Sequence, residues 1–270
     1  MLTKVPGNLL ICNKSAVFSL FLVPIPDAMK TILLSALLTI IALPVCAQLS
    51  IGITGGYSHA TQRISGRTFS NAEYNSPNPA IFADAKYTPQ WHGGIIADLG
   101  LIKGLHLQPQ VLISSKGMKE EEKRTNEHWV EGTYKTRLIY LEIPLNIVYK
   151  IRVGPGKIAF GAGPYFAFPL SGTYKDKGTI INPDGQVVGG FTTEQNIQFD
   201  DYAGNGYMGK FYKNSDAGVN VIAGYEFKNG LLFNINYSLG LTDVYPKDPE
   251  VRKNAYFGIS AGYQFRLWRR

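Results

Sequence analysis

In the stretch "LLFNINYSLGLTD", Leu231, Phe233, Ile235, Tyr237, Leu239 and Leu241 are large and apolar, while Asn234, Asn236, Ser238 and Gly240 between them are small or polar. A period of two predicts a β-strand with one apolar and one polar face. Seven further stretches alternate in the same way: "LSIGITGGYSH" from Leu49, "HGGIIADLGLI" from His92, "LHLQPQVLISSK" from Leu105, "RLIYLEIPLNIVYK" from Arg137, "KIAFGAGPYFAFPL" from Lys157, "DAGVNVIAGYEF" from Asp216 and "AYFGISAGYQFRL" from Ala255. Eight strands are therefore predicted. After Gln48 no segment has a helical period, and none approaches the run of about 20 apolar residues that a spanning helix needs.

The connections alternate in length. Tight turns are predicted around Lys103-Gly104, Gly154-Pro155-Gly156 and Asn229-Gly230, whereas the other joins run over residues 60–90, 117–134, 171–215 and 243–254. For Leu101 and Leu105 to share a face, and likewise Phe227 and Leu231, each of those turns must hold an odd number of residues. Three-residue loops are expected, Ile102-Lys103-Gly104 and Lys228-Asn229-Gly230, with both glycines at positive φ in a bulged turn. Short turns on one side and long loops on the other describe an eight-stranded antiparallel up-and-down transmembrane β-barrel of a bacterial outer membrane, with both chain ends on the short-turn side.

Which face meets water follows from what the polar face carries. A solvated exterior would be rich in Lys, Glu and Thr, but this face carries Gly52, Gly56, Gly94, Gly161, Gly163, Gly218, Gly224, Gly258 and Gly262 among Asn, Ser and Gln. Small polar residues suit the crowded inside of an eight-stranded barrel, where side chains fill the lumen. Ile139, Leu141, Ile143, Leu145 and Ile147 then face lipid. Tyr149, Phe227, Phe265 and Trp268 at the short-turn ends, and Tyr57, Trp91 and Phe168 near the loops, fit interfacial girdles. The opposite arrangement, a soluble carrier barrel with an apolar ligand behind the greasy face, is the alternative from another class.

Composition sharpens this picture at the N-terminus. "MKTILLSALLTIIALPVCAQ" has a basic start at Lys30, an apolar run from Ile32 to Leu43, and a Val45-Cys46-Ala47 exit, the layout of a secretory signal peptide cleaved after Ala47. Residues 29–47 are read as that signal, residues 1–28 as an upstream extension from an early start, and residues 48–270 as the barrel domain. Pro24, Pro26, Asp27 and Lys30 argue against a membrane anchor over residues 9–47, and Val45 before Cys46 argues against a lipid anchor. Cys12 and Cys46 are the only cysteines, so the exported chain has no thiol or disulfide. The net charge of +7 is scattered, without the basic, aromatic-interleaved run of a nucleic-acid surface.

Catalytic chemistry finds little footing. His59, His92, His106 and His128 are dispersed, without metal-ligand spacing. Ser58 beside His59, and Glu127 beside His128, are available at the loop rim without a third partner, so no enzyme and no cofactor is expected. "GAGPYF" has a Gly-x-Gly but no following helix, and "KEEEKR" (119–124) is read as a solvated loop. The informative polar groups are inward: Asp98, His106, Gln108, Gln110, Glu142, Asn146, Lys150, Glu226 and Arg266. Charges buried there must pair, so they are expected to form a structural network packing the lumen.

The motifs "LQPQVLISSKGMK" (Leu107 to Lys119), "YLEIPLNIVYK" (Tyr140 to Lys150), "GAGPYF" (Gly161 to Phe166), "NYSLGLTDV" (Asn236 to Val244) and the closing "NAYFGISAGYQF" (Asn254 to Phe265) resemble the Bacteroidetes-type outer-membrane β-barrel proteins, the porin-family or PorT-like group. The resemblance covers nearly all of residues 48–270. It implies a barrel inserted from the periplasm by the barrel-assembly machinery, with Ser260, Gly262, Phe265 and Leu267 in the alternation of its assembly signal, although the chain continues to Trp268-Arg269-Arg270. The function expected is that of a structural or interaction barrel working through its extracellular loops, with lipid, lipopolysaccharide and a protein partner at the loops as contacts. The alternative that the resemblance implies is a component of a secretion or gliding machine. The connection from Ser171 to Ser215, rich in Tyr, Phe and Lys, is expected to be partly ordered as an extended hairpin that offers its aromatics to a partner.

Overall fold

The computed structural model describes residues 48–65, 81–82, 85–124, 129–182, 184–201, 211–246 and 250–266. Among them are twelve strands: β1 (Gln48–Ser65), β2 (Ile81–Phe82), β3 (Thr88–Ile102), β4 (Leu105–Arg124), β5 (Trp129–Val153), β6 (Gly156–Ile181), β7 (Val187–Asn196), β8 (Gln198–Phe199), β9 (Phe211–Tyr212), β10 (Asp216–Phe227), β11 (Leu231–Gly240) and β12 (Val251–Arg266). The expected signal segment, both cysteines, Glu127, His128 and Trp268 lie outside the described residues.

Eight of these strands close into a ring. The order runs β1-β3-β4-β5-β6-β10-β11-β12, and β12 returns to β1 with Ser50 opposite Arg266 and Ser65 opposite Val251. All eight pairings are antiparallel between sequence neighbours or across the closure, as in an up-and-down barrel. Closure leaves no edge in the ring, so the backbone is satisfied without water.

The period of two resolves as expected. Along β5, Leu138, Tyr140, Glu142, Asn146, Val148 and Lys150 are buried, while Leu145, Ile147 and Tyr149 between them are exposed. On the other strands Ile53, Ile95, Val111, Val221, Phe233, Ile235, Tyr237, Phe257 and Ile259 form the same exposed apolar surface. This is the face turned to lipid. Girdles bound it: Tyr149 and Phe160 at 5.7 Å, Tyr225 and Phe227 at 4.8 Å, and Tyr263 and Phe265 at 4.9 Å at the short-turn end, with Tyr57 in register beside Trp91 at the other.

The inward glycines follow from curvature. A Cβ on Gly163 would stand 1.9 Å from the Leu145 carbonyl oxygen, and one on Gly94 would stand 2.0 Å from that of Val111. Eight strands bend so tightly that these inner positions have no room for a methyl group.

Two of the tight turns differ in construction. Lys228-Asn229-Gly230 is the expected three-residue loop, closed by a hydrogen bond from the Gly230 amide to the Phe227 carbonyl at 3.0 Å. The β3–β4 turn is instead two residues, Lys103-Gly104, and Ile102 pairs with Leu105. A register shift between Gly100 and Ile102 absorbs the odd residue one step earlier, so the faces still match. Gly104 and Gly230 have φ of 79° and 97°, as either construction requires.

The strands run farther outward than the apolar runs indicate. β5 and β6 have 25 and 26 residues, where a membrane crossing takes about 9–11. Residues 117–124 and 129–134, expected as loop, continue β4 and β5 as a paired ladder, Met118 to Thr136 and Glu122 to Gly132. Beyond the ring, Thr173–Ile181 pairs with β7 in the anticipated hairpin, turned at Asn182 and Gly185, the latter at φ 80°.

Leu145→Arg should cost about 2–4 kcal/mol of stability in lipid vesicles, read from reversible urea unfolding. Gly163→Ala, directed inward, should cost about 1–3 kcal/mol through overpacking. Equal tolerance of both would mean that the faces are assigned wrongly.

A layered lumen as the candidate functional site

The inward residues are stacked in layers between the two mouths. Nearest the short turns, Lys150 sits between two carboxylates, with Nζ 2.7 Å from Asp98 Oδ2 and 2.6 Å from Glu226 Oε2. Asp98 also holds His106 Nδ1 at 2.7 Å and accepts from Gln108 Nε2 at 2.5 Å, while Arg266 reaches Glu226 at 3.5 Å. Six of the residues singled out from sequence thus meet in one cluster. Strands β3, β4, β5, β10 and β12 supply them, because each carries its polar residue on the inward parity at the same height.

Asn146 and Gln110 lie one layer farther out and take no part in that cluster. With His92, Asn220, Asn234 and Asn236 they line a cavity of about 30 Å³, whose polar walls suit water.

A second ionic cluster lies above the cavity. Lys116 is 1% exposed, and its Nζ lies 2.9 Å from Glu142 and 3.1 Å from Asp216. Three tyrosine rings surround the ammonium, with centroids at 4.2 Å for Tyr165, 5.2 Å for Tyr140 and 5.6 Å for Tyr256. Glu142 accepts further from Ser114 at 2.8 Å and Tyr256 at 3.0 Å, and Asp216 accepts from Asn254 at 2.9 Å and Tyr165 at 3.2 Å. Desolvation of the charges is offset by partners on every side. Of this cluster only Glu142 stands out in the sequence reading. Lys116 and Asp216 carry the same inward parity as Ser114 and Gly218, a signal masked by their place at the ends of the apolar runs.

The outer mouth is capped. Leu138, Tyr140, Tyr165, Ala167, Ile197, Tyr212 and Val244 form a buried cluster, against which Tyr174, Phe199 and Tyr245 pack. Over it lies Arg252, whose Cζ stands 4.4 Å from the Tyr245 ring centroid and whose Nε donates to Glu250 at 2.5 Å. Burial disfavours its charge, but Tyr212, Glu120, Glu250 and Tyr245 outweigh burial and raise its pKa. On the β4 extension, hydrogen bonds from Lys119 and Lys86 hold Glu121 down at about 2.

No catalytic arrangement forms from the Ser58 and His59 pair. Ser58 is buried in the lumen, whereas His59 is exposed on the opposite face, 5.4 Å from the Tyr57 ring. Among the described residues no group of three or more His, Asp or Glu could hold a metal ion.

A family match agrees with this architecture. The family described as outer membrane protein beta-barrel domain matches residues 44–245. No curated protein matches the chain. Among solved structures, similar ones include the attachment invasion locus protein Ail of Yersinia pestis, with 10% identity, TM-score 0.33, and 81% of this chain and 99% of that one covered. OprG of Pseudomonas aeruginosa is similar at 12% identity and TM-score 0.34, covering 81% and 96%, and the Neisserial surface protein A at 10% and 0.30, covering 80% and 97%. With a closed eight-stranded ring, a lipid-facing apolar surface and a family match over most of its length, the chain belongs to the outer membrane protein beta-barrel domain family and resides in the outer membrane.

Proposed function

We propose that this protein is a structural and interaction barrel, closed to transport, that presents the β6–β7 hairpin outside the cell as a binding surface for a protein partner. The observation that carries this reading is β7 itself. Nearly all of its ten residues are exposed, Val187, Val188 and Phe191 by 68%, 56% and 43%, and among the described residues only β6 pairs with it. An apolar edge strand standing in water is a ready template for an extended partner segment. Lys175 and Lys177, exposed on β6, would meet lipopolysaccharide phosphates at its base. Residues 29–47 serve in this reading as the export signal, and the barrel-assembly machinery as the inserting partner.

The structure revises which aromatics could serve. Phe211 and Tyr212 are buried, Tyr174 and Phe199 pack against the cap, and Tyr202 and Tyr207 lie outside the described residues. Of the aromatics anticipated as partner contacts, Phe191 remains exposed on the hairpin. The Bacteroidetes-type, PorT-like affiliation rests on the motifs alone, and no described feature favours a secretion role over the interaction role.

The lumen clusters, in the same reading, are structural. Asp98, His106, Gln108, Lys150, Glu226 and Arg266 hold the strands in register through mutual pairing, Glu142 does so through Lys116, and Gln110 and Asn146 line the cavity between the two clusters.

Lys150→Met should destabilise the barrel by about 3–5 kcal/mol, because two buried carboxylates lose their shared cation, and the added Glu226→Gln change should recover part of that loss. A transport role predicts the reverse pattern, with stability kept and single-channel conductance altered. Replacing residues 178–191 by a Gly-Ser turn should preserve the heat-dependent gel shift of the folded barrel yet abolish capture of a protein partner from intact cells. Capture that survives the excision would move the binding surface elsewhere, and failure to fold would make the hairpin structural.

A further inference from the structure

Just beyond the lipid-facing surface, the outer ends of β4, β5 and β6 set like charges side by side. On β5 the outward residues pass from Leu141 and Ile139 to Arg137 and Lys135, which stand about 7 and 13 Å past Ile139 along the strand. The register aligns four lysines in one row, with Lys86 opposite Lys119, Lys119 opposite Lys135, and Lys135 opposite Lys175. Residues directly opposite in an antiparallel pair share a face, so all four side chains leave the wall on its outer side. Like charges placed in this way destabilise a sheet.

The row is only partly neutralised. Glu121 pairs with Lys86 and with Lys119, the latter at 2.8 Å, and Glu194 lies 3.4 Å from Lys175. Lys135, Arg137 and Lys177 are exposed and have no carboxylate partner among the described residues. Below them on β6, Phe166 at 56% and Leu170 at 49% exposure continue the apolar surface.

We propose that Lys119, Lys135, Arg137, Lys175 and Lys177 dock the phosphates of one lipopolysaccharide molecule, whose acyl chains lie against Ile139, Phe166 and Leu170. Cations directly above an apolar wall match an amphiphile with anionic groups at the top of its acyl chains, whereas an acidic protein has no use for the wall. Adjacent strands are about 4.8 Å apart, so Lys119 and Lys175, two strands apart, span about 10 Å, the scale of a disaccharide phosphorylated at both ends. The long lysine stems can bend down to phosphate level, and the Arg137 guanidinium can take a phosphate through two parallel hydrogen bonds. A bound anion also relieves the repulsion along the row. The inference deepens the lipopolysaccharide contact of the reading above and rests on its placement of the long connections outside the cell.

The test uses the full chain in detergent micelles with rough-type lipopolysaccharide, binding being read by native mass spectrometry. Each cation beside an anionic lipid surface is worth about five-fold, so Lys119→Gln/Lys135→Gln/Arg137→Gln should lose at least about ten-fold in affinity. Lys103→Gln/Lys228→Gln at the short turns should bind as the wild type does, and removing both lipid phosphates should weaken wild-type binding as the triple variant does. Undiminished affinity in the triple variant, or equal affinity for the dephosphorylated lipid, overturns the inference. So does full displacement by millimolar inorganic phosphate at constant ionic strength, which marks a free-phosphate site, or by polyglutamate, which marks an acidic protein as the occupant. The Gly-Ser replacement of residues 178–191 should leave lipopolysaccharide binding unchanged, so failure of this site and failure of protein capture by the hairpin are read separately; loss of lipid binding on that replacement overturns the site on the strands. If the triple variant lacks the heat-dependent gel shift, Lys135→Gln and Arg137→Gln decide singly: each should lower affinity about three- to five-fold, and no change in either overturns the site.

Discussion

Closing eight strands into a ring satisfies the backbone laterally, and the enclosed side chains must then satisfy one another. Lipid lies on one side of the wall and a lumen too narrow for bulk water on the other, so each inward charge needs a partner inside. Lys116 illustrates the constraint. Its two carboxylates come from β5 and β10 and its three tyrosine rings from β5, β6 and β12, so one ammonium ties together strands far apart in the ring. Lys150 does the same near the other mouth with Asp98 of β3 and Glu226 of β10. Each lysine thus links carboxylates from two other strands across the interior.

Filling requires room, and the glycines provide it. A Cβ on Gly218 would lie 2.6 Å from the Tyr165 ring, and one on Gly56 would lie 2.8 Å from His92 Nε2. Large inward rings and small inward glycines are therefore two halves of one packing arrangement. Curvature, aromatic filling and charge pairing depend on the same alternation of large and small.

That alternation is why so much of the fold was legible in the sequence. Period two, applied to runs such as Arg137 to Lys150, sorts the lipid and lumen faces and needs only neighbouring residues. What escaped depends on partners distant in sequence or on strands without an apolar face. Lys116 and Asp216 are 100 residues apart, and nothing local says that they meet. The outward ladders of β4, β5 and β6 are built from Thr, Lys, Glu, Gly and Tyr on both faces. Their outer face meets water and their inner face buries Met118 beside Glu120 and Thr136, so the apolar alternation that reveals a strand in lipid is absent. The aromatics between Ser171 and Ser215 were legible as ordered but not as cap, because burial of Tyr212 against Val244 depends on how the loop between β11 and β12 folds back.

The cap also separates two kinds of change open to this protein. Ile197, Tyr212 and Val244 seal the outer mouth, so residues beyond them on the hairpin can vary without opening the lumen. The hairpin hangs from a ladder in which Thr173 to Ile181 pairs with β7, and Asp184 and Gly185 at its tip are exposed. Buried charge pairing is concentrated in the lumen and exposure in β7. In the proposed reading, a binding surface placed there can change its side chains without touching the pairs around Lys116 and Lys150, and such physical separation lets one scaffold carry different outer surfaces.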